Sequence, residues 1–470
     1  MIEFAKSRGI AFKELSEFET IRRCSDIPIT HRPPFVEAWE VKKEVEIQGS
    51  IIDITFVVCF LEDFPFSIPK IYLTKKDYDR LGYIPHVDSN RCICTYPPDT
   101  VVLDIAKPEG IVLQCLRQAR VNIADGVNGK NEDDFNDEYL AYWKQTYPGE
   151  QEPIEFCLNL IETEIDTVCF IKYGAFKYPA GKYKNCLYLE DNDFRRVKEN
   201  LNNSLNNDII EVNDALLFPD FPKRLGKPPF TMTYGDTAKI IEGIGKEASN
   251  KFEKYINKWN YPPLIFFRKR IKDSSYYLGW VYEEKFKRKN NGYRDGFLKP
   301  SNLIKSRQEN LLVRRISTEN FSEGRLMKRT AGEDDCARRA FTIAGLGSIG
   351  SNLAFFLNSY HPKEFRLIDI DFFDIENTYR HLLGVSCSGL SKTEAIKCYL
   401  IGKNPKQSIL TKNVSIIKII ENEPKFINET DFLFVTIGNQ NVEKYIGISL
   451  ASGILTTPTF IIWVEPYLVG

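Results

Sequence analysis

Between Phe341 and Asp371 the chain reads FTIAGLGSIGSNLAFFLNSYHPKEFRLIDID, and few folds accept that order. An apolar run of strand type meets three glycines, Gly345, Gly347 and Gly350, and then a helical pattern from Ser351 to Tyr360. A second apolar run follows and ends in Asp369 and Asp371. Glycines at this spacing permit a tight strand-to-helix turn and close backbone approach, and the helix start presents free N–H groups to a phosphate. The rhythm continues with a helix expected over Lys392 to Ile401, then strand-like DFLFVTIG and TPTFIIWVEP. Alternation of this kind predicts a doubly wound parallel sheet, with Asp369 or Asp371 placed to take ribose hydroxyls. On these residues alone an NAD enzyme and an ATP-dependent adenylating enzyme are indistinguishable.

The next residues separate the two. DIDFFDIENTYRHLLG sets Asn377 three residues before Arg380, and Lys392 follows. Cations beyond the ribose acid add little for a hydride carrier, whose pyrophosphate the loop already holds. They suit a triphosphate, whose charge must be neutralised while an acyl adenylate forms. GLGSIG, LIDIDFFDIENTYRH and Lys392 together resemble the adenylation domain of ubiquitin-activating enzymes and bacterial sulfur-carrier activators. The resemblance implies ATP at Gly345, Gly347 and Gly350, ribose at Asp371, and phosphates at Asn377, Arg380 and Lys392. It also implies an arginine supplied ahead of the glycine loop across a homodimer of adenylation domains, with Arg325 or Arg329 as candidates. The aspartate this family associates with Mg2+ falls at Gly438, so the magnesium ligands are unassigned.

Length and composition set the frame. At 470 residues two or three domains are expected, and 43% hydrophobic with 27% charged residues describes globular cores. A net charge of -1 gives no support to nucleic acid or anionic lipid as a partner. The N-terminus lacks an apolar signal core, and no apolar run is long enough to span a bilayer. Eleven irregularly spaced cysteines without a signal peptide predict free thiols in a reducing cytoplasm. Along the chain a helix is expected over Phe12 to Cys24, and strands over FVEAWEVKKEVEI and Ile51 to Phe60. Helices are expected over Gly110 to Asn122 and Asp133 to Tyr147, and a boundary at Pro148-Gly149. Strands are expected over Ile165 to Tyr173 and in PPLIFFRKRIKDSSYYLGWVYEE, as a hairpin around Asp273-Ser274. Val197 to Asp208 reads as a loop or frayed helix and the basic run Lys285 to Arg294 as a solvated loop. The resulting division is 1–149, 150–310 and 311–470, the middle part without a legible role.

HVDSNRCICTYPPDTVVLD, from His86 to Asp104, places Cys92 and Cys94 in a turn-rich stretch. A zinc site would need a second ligand pair, and none of Cys59, Cys115 or the four histidines supplies one at zinc spacing. A Cys-x-Cys disulfide would close a strained small ring. A structural thiol pair and a single nucleophile remain. FPFSIPKIYL (Phe64 to Leu73), followed by His86 and by Ile93-Cys94, resembles the turn and thioester cysteine of ubiquitin-conjugating enzymes. The resemblance covers roughly residues 10 to 147 and implies Cys94 as the acyl carrier, His86 beside it and Cys92 as a bystander. Conjugating enzymes place an asparagine two residues after the histidine to stabilise an oxyanion. Here that position is Asp88, whose charge would repel one, with Asn90 as a substitute.

The fusion, together with VVLD…VLQCLRQA…DEYLAYW, resembles the ubiquitin-transferase-like proteins of bacterial CBASS antiviral operons. The resemblance implies that the C-terminus of a cGAS/DncV-like nucleotidyltransferase is adenylated with ATP, carried as a thioester and joined to a target amine. The adenylation domain is expected to be incomplete at its C-terminus, with an activating cysteine beyond Gly470. Cys387 is a better alternative than Cys336 or Cys398 for that role. An NAD-dependent oxidoreductase is one competing reading and a non-catalytic nucleotide-binding adaptor is another.

Overall fold

The computed structural model describes residues 4–24, 33–97, 100–145, 154–161, 164–177, 183–189, 195–200, 209–222, 225, 227–258, 262–271, 274–282, 299–322 and 339–464. Arg325, Arg329, Cys336, Asp273, the Lys285 to Arg294 run and the Pro148-Gly149 boundary lie outside the described residues. By internal packing the chain forms two compact units, residues 1–155 with 216–317 and residues 156–215 with 318–470.

The first unit opens with α1 (Phe4–Ser16) and an antiparallel sheet, β1 (Ile21–Arg23), β2 (Glu37–Ile47), β3 (Ser50–Phe60), β4 (Lys70–Leu73) and β5 (Cys92–Ile93), paired in that order. Alternation in β2 buries Trp39, Val41, Val45 and Ile47 and exposes Lys42, Glu44 and Glu46, the period-2 pattern of a sheet with one wet face. Gln48 and Gly49, at φ 52 and 75, close the β2–β3 hairpin, which needs two left-handed residues. α3 (Pro108–Val127) places Ile111, Cys115, Ala119 and Ile123 on one stripe, and they pack on the sheet with Ala11 and Leu15 of α1. Each large side chain buried there contributes about 1.5–3 kcal/mol. α2 (Lys75–Leu81) and α4 (Asp134–Lys144) complete this part.

The helix expected over Phe12 to Cys24 is instead α1, ending at Ser16. Ile21 pairs with Val41 on the sheet edge, whose open N–H and C=O groups draw Ile21–Arg23 into a strand. α4 stops at Lys144, where Gln145 is already extended. Further along, strands Leu264–Ile271 and Ser274–Val281 form the expected antiparallel hairpin. It is flanked by residues 216–218 in parallel and 314–317 antiparallel. Helices Tyr234–Ile244 and Lys246–Asn257, which the pattern did not reveal, also belong to this unit, the first started by a Thr233/Asp236 capping box.

In the second unit, strands Cys169–Lys177 and Tyr183–Tyr188 pair antiparallel, the first starting four residues later than expected. Residues 195–200, which take in the start of the polar stretch at Val197, are helical. A separate five-stranded parallel sheet follows. Its strands are β6 (Ala340–Ala344), β7 (Glu364–Ile368), β8 (Ser408–Lys412), β9 (Phe432–Val435) and β10 (Thr459–Ile461), in the order β8-β7-β6-β9-β10. Helices α5 (Ser348–Asn358), α6 (Lys392–Lys403) and α7 (Gln440–Ala451) lie between strands in sequence. The order reverses direction at β6, between β7 and β9, and ligands of doubly wound sheets bind at such a switch point. The chain is therefore a mixed α/β and α+β protein with a doubly wound Rossmann-like part. Among the described residues no helix is long and apolar enough to cross a membrane.

Candidate functional sites

Cys94 leaves the end of β5 as an exposed thiol. Its N–H donates to the His86 carbonyl (2.8 Å), and its own carbonyl accepts from Asn122 Nδ2 (2.7 Å) on α3. Gln118 holds the other end of that amide, donating to Asn122 Oδ1 at 2.8 Å. His86 sits at φ 64, with its N–H shared between Glu138 Oε2 (3.1 Å) and Tyr142 Oη (2.7 Å) of α4. Its ring nitrogens meet two carboxylates, Nδ1 with Glu138 Oε1 at 2.6 Å and Nε2 with Asp134 Oδ2 at 2.9 Å. The Cys94 sulfur, then Glu138 and Asp134, raise the imidazole to about 10, against the opposing effect of burial. Burial alone would push the Glu138 carboxyl up, but hydrogen bonds from His86 and Tyr142 outweigh it and hold it low.

The two thiols are unequal. Cys92 is half-buried, and burial followed by the charge of Asp88 pushes it up to about 12, so little thiolate forms at neutral pH. The Asp88 carboxylate turns into its own loop, where Oδ1 accepts the N–H of Asn90 (2.9 Å) and of Cys92 (2.8 Å). Burial raises this carboxyl, and those hydrogen bonds oppose the rise. Asp88 thus serves as a turn cap. Asn90 is exposed in that turn, and the asparagine that reaches the Cys94 backbone is Asn122.

In the second unit the glycine loop follows β6. Gly345 has φ +90, and a Cβ at Gly350 would lie 1.9 Å from the Gly345 carbonyl oxygen, so both positions demand glycine. Gly347 has open space around it, and no side chain caps the start of α5. That leaves the first N–H groups of the helix for a ligand, as a phosphate would require. Asp369 is committed to the loop, accepting from the Leu346 N–H (2.5 Å) and the Asp371 N–H (2.7 Å). Asp371 stands more open, its carboxylate paired with the buried ammonium of Lys392 at 2.8 Å, at the first residue of α6. Arg380 Nη2 donates to Asn377 Oδ1 at 3.2 Å, and the Arg380 carbonyl accepts from Ser348 Oγ in the loop at 2.9 Å. His381, which the sequence did not single out, joins the two segments by hydrogen bonding the Leu346 carbonyl (2.6 Å) and the Leu383 N–H (3.1 Å).

The structure thus links Asp371 and Lys392 through Asp369 to the loop of Gly345, Gly347 and Gly350, and ties Asn377 and Arg380 to that loop through Ser348. These residues fit a nucleoside triphosphate: free helix N–H groups, an open carboxylate for ribose, and two cations. Among the described residues no group of three or more His, Cys, Asp or Glu is placed to hold a metal ion.

Residues 36–150 match the Prokaryotic E2 family B and residues 325–454 match the ThiF family. The chain is a fusion of a prokaryotic E2-like domain with a ThiF-family domain. It is similar to the ATP-dependent ubiquitin transferase-like protein Cap2 of Pseudomonas aeruginosa (strain BWHPSA011 / Pa011), with 33% identity over 78 residues. That stretch is 17% of this chain and 14% of the relative. Two solved E. coli structures are also similar. The tRNA N6-threonylcarbamoyladenosine dehydratase TcdA in complex with AMP is 18% identical over 29% of this chain and 56% of that chain, with a TM-score of 0.26. MccB with ATP is 22% identical over 28% of this chain and 40% of that chain, with a TM-score of 0.25.

Proposed function

We propose that the chain is an ATP-dependent ubiquitin transferase-like enzyme that activates a protein C-terminus and conjugates it to an amine. In this reading residues 1–149 carry the acyl group on Cys94, residues 311–470 adenylate, and the role of 150–310 is open. A C-terminal carboxylate attacks the α-phosphorus of ATP and pyrophosphate leaves. Arg380 and Lys392 offset the charge that develops there, while Asp371 orients the ribose. A thiolate then displaces AMP from the acyl group, which passes, directly or through an activating thiol, to the Cys94 sulfur. An amine attacks that thioester, the C–N bond forms as the C–S bond breaks, and the thiolate leaves. Carrying both sites on one chain raises the effective concentration for the handover.

One observation carries this reading: the exposed Cys94 thiol, on a backbone held by His86 and Asn122, shares a chain with a ThiF-type glycine loop backed by the Asp371–Lys392 pair. The similarity to Cap2 supports a ubiquitin transferase-like role in CBASS, and the proposal extends it to a cGAS/DncV-like nucleotidyltransferase as the protein activated, in the cytoplasm, as the family resemblance of the sequence implies. Incubating the chain with ATP and that nucleotidyltransferase should give carboxylate-dependent pyrophosphate exchange and an adduct released by thiols. Exchange without added protein carboxylate, or preference for NAD over ATP in a binding assay, would overturn the proposal.

A further inference from the structure

An imidazole that acts as a base needs a ring nitrogen with a free lone pair facing its target. In His86 each ring nitrogen lies at hydrogen-bond distance from a carboxylate, 2.6 Å to Glu138 and 2.9 Å to Asp134, so neither is left to the Cys94 sulfur alone. Ionised carboxylates only accept hydrogen bonds, so the arrangement is satisfied when both nitrogens carry protons. The clamp is also built into the backbone. Glu138 Oε2 and Tyr142 Oη receive the His86 N–H, and Tyr142 donates to the same Glu138 oxygen at 2.5 Å. Asp134, Glu138 and Tyr142 recur every four residues on α4, so a single helical face supplies all three.

We propose that Asp134 and Glu138 are positioning residues that hold His86 as a standing imidazolium beside Cys94, so that it stabilises negative charge there instead of accepting a proton. This rests on the reading of Cys94 as the acyl carrier. The groups facing the ring are Asp134, Glu138 and Tyr142 from α4 and the Cys94 sulfur, while Asp88 turns away into its loop. When an amine attacks the thioester, charge gathers first on the carbonyl oxygen and then on the departing sulfur. A fixed cation lowers both, and the proton that the amine nitrogen sheds once the C–N bond has formed goes to solvent. His86 neither gains nor loses a proton during turnover. The raised affinity of this ring for its proton agrees with the geometry. Glu138, whose side chain is 24% exposed, contributes more than Asp134 at 45%, because solvent screens the outer carboxylate.

The chain has four histidines, so its imidazole signals can be followed individually by NMR after 13C labelling at Cε1, with His86→Gln assigning one of them. The wild-type His86 signal should stay at its protonated shift up to a pH of about 8.5, well past the ordinary midpoint near 6.5. The Asp134→Asn/Glu138→Gln protein should bring the midpoint down by about one to three units, the usual effect of removing a close opposite charge. Asp134→Asn alone should give a smaller fall and guards against a double variant that does not fold. A wild-type His86 that titrates near 6.5, or a midpoint unmoved by either variant, would overturn the proposal. This readout needs neither ATP nor an acyl donor, so failure of the clamp is distinguishable from failure of Cys94 to carry an acyl group.

Discussion

Gly350→Ala tests the glycine loop at its most crowded point. The new methyl would lie 1.9 Å from the Gly345 carbonyl oxygen and 2.5 Å from Thr436 Oγ1, the hydroxyl that donates to that carbonyl. The first obstacle is backbone and cannot swing aside. Gly345 is tied by its N–H to the Ile368 carbonyl at 2.8 Å, and its φ of +90 leaves little room for adjustment. Overpacking costs about 1–3 kcal/mol, and a backbone obstacle argues for the upper end, about 3 kcal/mol. In a domain of about 150–250 residues each kcal/mol moves Tm by about 2–4 °C, so a fall of about 6–12 °C is expected for the second unit. Gly347→Ala is the control, since a Cβ there meets nothing within 4 Å. It should change stability by no more than about 0.5 kcal/mol, yet weaken ATP binding by filling the space over the start of α5. Scanning calorimetry of the whole chain, with and without ATP, reads both effects. An unchanged melt for Gly350→Ala, or equal destabilisation by Gly347→Ala, would refute the reasoning.

Three further outcomes follow from the same geometry. Arg380→Ala should lower pyrophosphate exchange by about 10²–10³-fold, the loss seen when one charge-stabilising donor is removed, with little change in Tm because the side chain is exposed. Alkylation near pH 8 followed by peptide mass spectrometry should label Cys94 ahead of Cys92, whose thiol burial holds near 12. Stability should fall at both ends of the pH range. His86, raised to about 10, stabilises the first unit fully below its ordinary 6.5, and that contribution is lost as pH rises through about 10. His381 is held below 6.5 by burial, so the unfolded chain takes up a proton that the folded chain refuses. The second unit therefore loses stability as pH falls below 6.5, and His381→Gln should flatten that acid limb in a melt series.

The Rossmann-like part was legible because each signal there is local. Strand, glycines, helix and acid follow one another within thirty-one residues, and two of the three glycines, Gly345 and Gly350, answer close contacts. Cys94 could be separated from Cys92 only through the resemblance of Ile93-Cys94 to a thioester cysteine, since residues two apart on a strand share a face. What the sequence hid are partners brought together by long-range folding. Asn122 lies 28 residues from Cys94, and Glu138 lies 52 from His86. The i, i+4, i+8 spacing of Asp134, Glu138 and Tyr142 was visible, but nothing local showed that His86 would pack against that face. The helix misplaced at Phe12 to Cys24 fails for the same reason, because an open sheet edge claims Ile21–Arg23. His381 was overlooked beside Arg380 because its role depends on a carbonyl 35 residues earlier.

The central claim is that Cys94 carries the acyl group, and a preformed donor isolates that step from activation. The chain should be incubated, without ATP, with the nucleotidyltransferase bearing a C-terminal alkyl thioester, and then examined by intact and peptide mass spectrometry. A dithiothreitol-sensitive adduct on the Cys94 peptide is predicted, retained in Cys92→Ser and lost in Cys94→Ala. An adduct that persists in Cys94→Ala, or that maps to Cys92, would contradict the account.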